Sequence, residues 1–188
     1  LDPYEQKGIY SGTADDRWVF TNESPSTNYA SAAALAAASR ALRGYNDELA
    51  QECLDAATNA WRYEHAKPAP EDPRRAMWTA MSEMGAALQL YAATEDKKYA
   101  DRFEEILWPG MERGGTWLMP RAVRAVRWLG PEFRSKLAEH VKEYKNYNDE
   151  LLRENPFGVP IRRGGWAGNG GVINWAATNY LLHNTFPD

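Results

Sequence analysis

Apolar residues in this chain recur every third or fourth position in one segment after another, and no stretch sustains the every-second-residue alternation of a strand. That periodicity restricts the fold to helices packed on helices. The first helix is expected from a Ser26 or Thr27 cap to Arg43, with Ala32, Leu35, Ala36, Ser39 and Leu42 on one face and Gly44 as its stop. Asn46 or Asp47 caps the next, whose stripe is Leu49, Cys53, Ala57 and Trp61. A proline-containing loop from Lys67 to Pro73 separates this pair from a helix marked by Met77, Met81, Met84, Leu88 and Tyr91. After Glu95-Asp96 comes a shorter helix with Tyr99, Phe103, Ile106 and Leu107. A third pair places Val123, Val126 and Leu129 before Gly130-Pro131, then Phe133, Leu137, Val141 and Tyr144. A glycine-rich loop from Asn155 to Gly171 precedes a last helix with Val172, Trp175, Ala176, Tyr180 and His183. The expected fold class is all-α, with residues 1–26 irregular and 27–188 built of consecutive helical hairpins, arranged as a toroid or solenoid rather than a four-helix bundle.

Composition narrows the function. With 22 Lys+Arg against 26 Asp+Glu the net charge is −4, and no basic run offers the footprint that a phosphate backbone requires. Nucleic acid is therefore not an expected partner. Nor is a membrane: the longest apolar stretch, Ala30 to Ala38 with Ser31 inside it, falls far short of the ~20 residues that span a bilayer. Cys53 is the single cysteine, so no intrachain disulfide can form. The chain opens at Leu1 without a signal-peptide pattern, and the expectation is that preceding sequence has been removed.

Metal and nucleophile chemistry finds no motif. His65, His140 and His183 lie far apart in sequence without ligand spacing, and the glycines Gly164, Gly165, Gly168, Gly170 and Gly171 follow no strand and enclose no lysine. Aromatic residues are more informative. Eight Trp and ten Tyr exceed what a small helical core needs, and Trp18, Trp78, Trp108, Trp117 and Trp166 fall at expected helix ends or in loops. A flat ring there can stack on the C–H face of a sugar while neighbouring polar groups take its hydroxyls. Glycoside hydrolysis also needs two carboxylates. The candidates, Asp15-Asp16, Glu71-Asp72 and Glu83, each have an ordinary structural reading: solvated loop residues, acids at a helix start, and an exposed helix face.

Several stretches together resemble family nine glycoside hydrolases. They are Ser26 to Arg40, Tyr45 to Ala50, Cys53 to Ala57 with Ala60-Trp61, the alanine-rich Ala86 to Tyr99 with its Leu90-Tyr91 and Ala93-Thr94-Glu95-Asp96 turn, and Asn155 to Pro160 with Trp166-Ala167-Gly168-Asn169. The resemblance implies an (α/α)6 barrel and hydrolysis of β-linked glucans or related oligosaccharides with inversion. An Asp would serve as general base, a Glu as general acid and water as the second substrate, with no cofactor. It also implies a secreted or periplasmic bacterial enzyme.

The family's base lies in an Asp-Ala-Gly-Asp motif, and its acid follows an Asn-Glu pair near the C-terminal end of the domain. This chain has no such motif and no such pair in its C-terminal part. The expectation is thus an internal piece of a catalytic domain, inactive alone, with no catalytic or metal-binding residue of its own and able to self-associate through exposed barrel wall. Substrate contacts are expected at Trp166, which matches a substrate-stacking tryptophan of the family, and at Asn169, Trp78 and Trp117. The alternatives are a non-catalytic helical-hairpin scaffold for protein binding and another (α/α) barrel carbohydrate enzyme.

Overall fold

The computed structural model describes residues 23–113, 115–154, 156–159 and 169–187. Among them are six α-helices, α1 (Pro25–Leu42), α2 (Asp47–His65), α3 (Pro73–Thr94), α4 (Lys97–Glu112), α5 (Met119–Glu154) and α6 (Asn169–Thr185), a 3-10 helix over Thr116–Leu118, and no strand. The all-α reading and the helical pairing hold. Most of the expected irregular segment 1–26 lies outside the described residues.

Helix starts follow local chemistry. The Ser24 hydroxyl accepts the Thr27 amide, Asn46 Oδ1 that of Leu49 at 3.0 Å, Asp72 Oδ1 that of Arg75 at 2.8 Å, and Asp96 Oδ1 that of Lys98 at 3.1 Å. Helix α1 begins earlier than expected because Ser24-Pro25 outcompetes Ser26 and Thr27. Proline has no amide hydrogen to lose at the first helical position, and its φ is already helical.

Each tight turn contains one left-handed residue: Gly44 (φ 81°) between α1 and α2, Glu95 (φ 60°) between α3 and α4, and Gly130 (φ 79°) within α5. Gly130 stands directly before Pro131 and breaks α5 into two arms, 119–129 and 131–154, as the Gly-Pro pair led one to expect. The second arm folds back along the first, because Trp117 and Tyr144 to Leu151 line one pocket.

Direction therefore alternates along the chain. Helices α1 and α3 run parallel: Ser26 Oγ meets Thr79 Oγ1 near their starts, and Arg43 donates to the Ala93 carbonyl at 2.6 Å near their ends. The first arm of α5 runs alongside α6, where Arg124 reaches Asn174. The starts of α1, α3, α5 and α6 consequently share one end of the molecule.

Two cores flank α3. Ala86, Leu90 and Ala93 pack with Tyr29, Ala32, Ala36, Ala57, Trp61 and Tyr99, while Met84, Ala87 and Leu88 pack with Phe103, Leu107, Trp108, Phe133, Leu137 and Leu182. Being covered on two sides explains why α3 shows no single apolar stripe. The alanines of α1 let it lie close to both α2 and α3.

Three expected faces are corrected. On α2 the buried line is Ala50, Ala57, Trp61 and Glu64, and Leu49 is exposed. Met77 on α3 is exposed. On α6 only Thr178 and Leu182 are fully buried, while Ala176, Tyr180 and His183 face outward. Apolar and polar residues are spread all round that helix, so its sequence pattern does not select one face, and Ile173, Ala176 and Tyr180 form an uncovered flank.

A Cβ added at Gly44 or Gly130 would meet nothing within 4 Å, so any cost of alanine there comes from the backbone alone. Gly44→Ala and Gly130→Ala should each cost about 1–2 kcal/mol, and Glu95→Gly should gain about 0.5–1 kcal/mol, in urea unfolding. Neutral alanine substitutions would contradict the left-handed turns.

Candidate functional site

At the shared end of the helices, a pocket of about 350 Å3 opens between the two arms of α5 and the start of α6. Its walls are aromatic: Trp117 from the 3-10 helix, Tyr144 and Tyr147 from the second arm, and Trp175 from α6. Tyr144, Tyr147, Asn148 and Leu151 fall at i, i+3, i+4 and i+7, so one helical face delivers all four. Trp117 is 51% exposed and presents a ring to solvent.

Two polar groups in this pocket lack partners. Asn148 is 7% exposed and its Nδ2 makes no hydrogen bond, and the buried Nε1 of Trp175 makes none either. Unpaired buried donors are costly, and both lie beneath the pocket wall rather than open to it. Burial pushes the Tyr144 hydroxyl above its ordinary pKa, so the phenol stays neutral at physiological pH. Among the described residues, no aspartate or glutamate lines the pocket. The arrangement can bind an uncharged ring bearing hydroxyls, and among the described residues it offers no carboxylate to accept or deliver a proton.

The structure brings Trp117 to this pocket and starts α6, with Asn169 as its exposed first residue, beside it through Gly171 and Asn174. Trp78 is 62% exposed on the second turn of α3 and does not line it. Trp166, like Trp18, lies outside the described residues. Trp108 is a correction: far from being a platform at a helix end, it is buried in α4, where its ring packs on Phe133 at 4.9 Å and its Nε1 donates to Glu104 at 2.7 Å. Tyr144, Tyr147, Asn148 and Trp175 were not singled out as ligand contacts. The spacing of the first three was a readable signal, but their approach to Trp117 depends on the fold-back at Gly130.

Glu83 is the second correction. It is 4% exposed, not a surface residue. Arg102 grips it twice, Nε to Oε1 at 2.9 Å and Nη2 to Oε2 at 2.8 Å, and His65 Nδ1 lies 2.7 Å from Oε1. Burial and the charge of Glu83 push the Tyr29 hydroxyl well above its ordinary pKa, and the hydrogen bonds from its guanidinium to Glu83 hold Arg102 firmly protonated. With both oxygens occupied, Glu83 is a poor base for water. Asp72 caps α3, and Asp15-Asp16 lie outside the described residues. Among the described residues, no group of three or more His, Cys, Asp or Glu is placed to hold a metal, and no helix is long and apolar enough to cross a membrane.

A comparison with protein families gives one match, to Glycosyl hydrolase family 9, over residues 5–186. The chain belongs to glycosyl hydrolase family 9. No curated protein and no solved structure matches it. Family membership carries glycoside hydrolase chemistry and carbohydrate as the general ligand class.

Asn148→Leu removes an unpaired buried donor. In unfolding experiments the variant should be more stable by about 1 kcal/mol. A loss of stability of that size would show that the amide is already satisfied.

Proposed function

We propose that this chain forms wall and substrate-lining surface of an inverting glycoside hydrolase that acts on β-linked glucans or related oligosaccharides, in a secreted or periplasmic setting. The observation that carries the reading is the pocket itself: the half-exposed Trp117 offers a stacking face beside Tyr144, Tyr147 and Trp175, and among the described residues no carboxylate lines it. A pyranose ring lies with its C–H face on Trp117 and its hydroxyls toward the open, polar side of the pocket. Trp78 and Asn169, at the starts of α3 and α6, extend the contact along the same end, and Trp166 joins them as a substrate-stacking residue.

Inversion requires an acid and a base roughly 6.5–9.5 Å apart on opposite sides of the scissile bond. The two buried carboxylates of the described residues, Glu64 and Glu83, are engaged in a cluster among α1, α2, α3 and α4, away from the Trp117 pocket. Because the sequence also lacks the family's Asp-Ala-Gly-Asp motif and C-terminal Asn-Glu pair, the catalytic Asp and Glu are assigned to polypeptide outside these 188 residues, and the chain alone binds without hydrolysing. The uncovered flank of α6, with Ile173 and Tyr180 exposed, supports the same reading. A further helix of the ring would cover it, and in its absence a second copy of the chain does so.

Titration with cello-oligosaccharides, followed by tryptophan fluorescence, should give saturable binding that Trp117→Ala weakens by about tenfold, the equivalent of one stacked ring. No reducing sugar should be released. Hydrolysis by the isolated chain, or unchanged affinity in Trp117→Ala, would contradict the assignment.

A further inference from the structure

A second cavity, of about 730 Å3, lies between the first arm of α5 and helices α1, α3 and α6, and shares no lining residue with the Trp117 pocket. Ala33, Leu88, Phe103, Val126 and Leu181 give it an apolar floor. Arg121, Arg124 and Arg127 line one side, three apart on α5, and all three are exposed while Ala122 and Ala125 between them are buried. Among the described residues no aspartate or glutamate lines it.

Positive charge gathers here unopposed. Among the described residues none of these arginines is ion-paired; Arg124 donates to the Pro120 carbonyl at 3.0 Å, and Arg121 and Arg127 donate to nothing. Arg127 stands 3.7 Å from the centre of the Trp128 ring, and Arg40 of α1 reaches the same ring at 5.1 Å. Partial burial pushes the Arg40 guanidinium below its ordinary pKa, and the like charges of Arg127 and Arg43 push the same way. The chain as a whole carries a net charge of −4, so this recess is a local reversal of sign, and low-dielectric walls concentrate its field.

Charge and size select the ligand. A cation would be repelled, and an uncharged molecule would leave the arginines unopposed. A carboxylate matches the planar fork of a guanidinium, and the apolar floor asks for an apolar body behind the acid. The volume falls within the roughly 300–1,000 Å3 of small-molecule sites. A docked helix, about 10–12 Å across, would instead need a long trough, whereas this recess takes its walls from α1, α3, α4, α5 and α6. We infer that this cavity binds a small organic carboxylate, its acid held by Arg121 and Arg127 and its apolar body laid on Leu88, Val126 and Leu181. The inference does not rest on the sugar reading of the Trp117 pocket.

Gly85 lines the cavity, and a Cβ added there would meet nothing within 4 Å, so Gly85→Leu fills the space without touching an arginine. The test is a two-dimensional 1H–15N NMR titration of the chain with phenylacetate and, separately, with its uncharged amide and with acetate. The Trp128 indole and the Gly85 and Gln89 amides should shift saturably with phenylacetate at millimolar concentration and far less with the other two. Arg121→Gln combined with Arg127→Gln should weaken that response tenfold or more, Gly85→Leu should abolish it, and Trp117→Ala should leave it intact. Added salt should weaken it, because the anchoring charges are exposed. The inference is overturned if phenylacetate gives no saturable shift, which would leave this face to a polypeptide partner. It is overturned equally if phenylacetamide or acetate binds as well as phenylacetate, or if binding survives Gly85→Leu or the double arginine variant. The comparison of the three small molecules needs no variant, so a misfolded mutant does not obscure the outcome. Cello-oligosaccharide binding at Trp117 is read on separate signals, and either reading can fail alone.

Discussion

One left-handed residue at each tight turn governs the geometry of this chain. Gly44, Glu95 and Gly130 reverse the backbone within a very short connection, so each helix returns beside the one before it. Repetition of that reversal puts the starts of α1, α3, α5 and α6 at one end and the tight turns at the other. The longer connections are left at the first end, where a ligand can meet loops and first helical turns. Trp117, Trp78 and Asn169 come to that end for this reason and not through any contact with one another.

Packing reinforces the alternation. Helix α3 is apolar on two sides because it separates two cores, whereas α2 and α4 turn a single face inward and leave the other charged. Across α1, α2, α3 and α4 a polar cluster centred on buried Glu83 joins buried Tyr29, half-buried Arg102 and exposed His65. Such an ion pair gains little net stability over apolar packing, because both charges must be desolvated, yet removing one partner leaves the other stranded. The cluster therefore acts on geometry: it accepts only one register of these four helices.

The hairpin order was legible in the sequence because capping residues, glycines and prolines punctuate it at every boundary. Asn46, Glu95-Asp96 and Gly130-Pro131 each mark the place where a helix starts or turns. What escaped was decided by neighbours remote in sequence. Glu83 looks like a surface acid until Arg102 arrives from the next helix, and Trp108 looks like a helix-end ring until Phe133 covers it. The face of α6 was unreadable because its apolar and polar residues are spread around the whole helix. For the pocket, Trp117 was visible as an aromatic beside a helix start, but its partners approach only after the chain folds back at Gly130 and returns along α6.

The central claim is that carbohydrate meets this chain at the end where α3, α5 and α6 begin. Mapping backbone NMR shifts on addition of a cello-oligosaccharide tests it most directly. The account predicts that the largest shifts fall on Trp117, Asn148, Asn174 and Trp175, with smaller ones near Trp78, and that Gly44, Glu95 and Gly130 stay unmoved. Shifts concentrated at those three turns, or absent throughout, would contradict it.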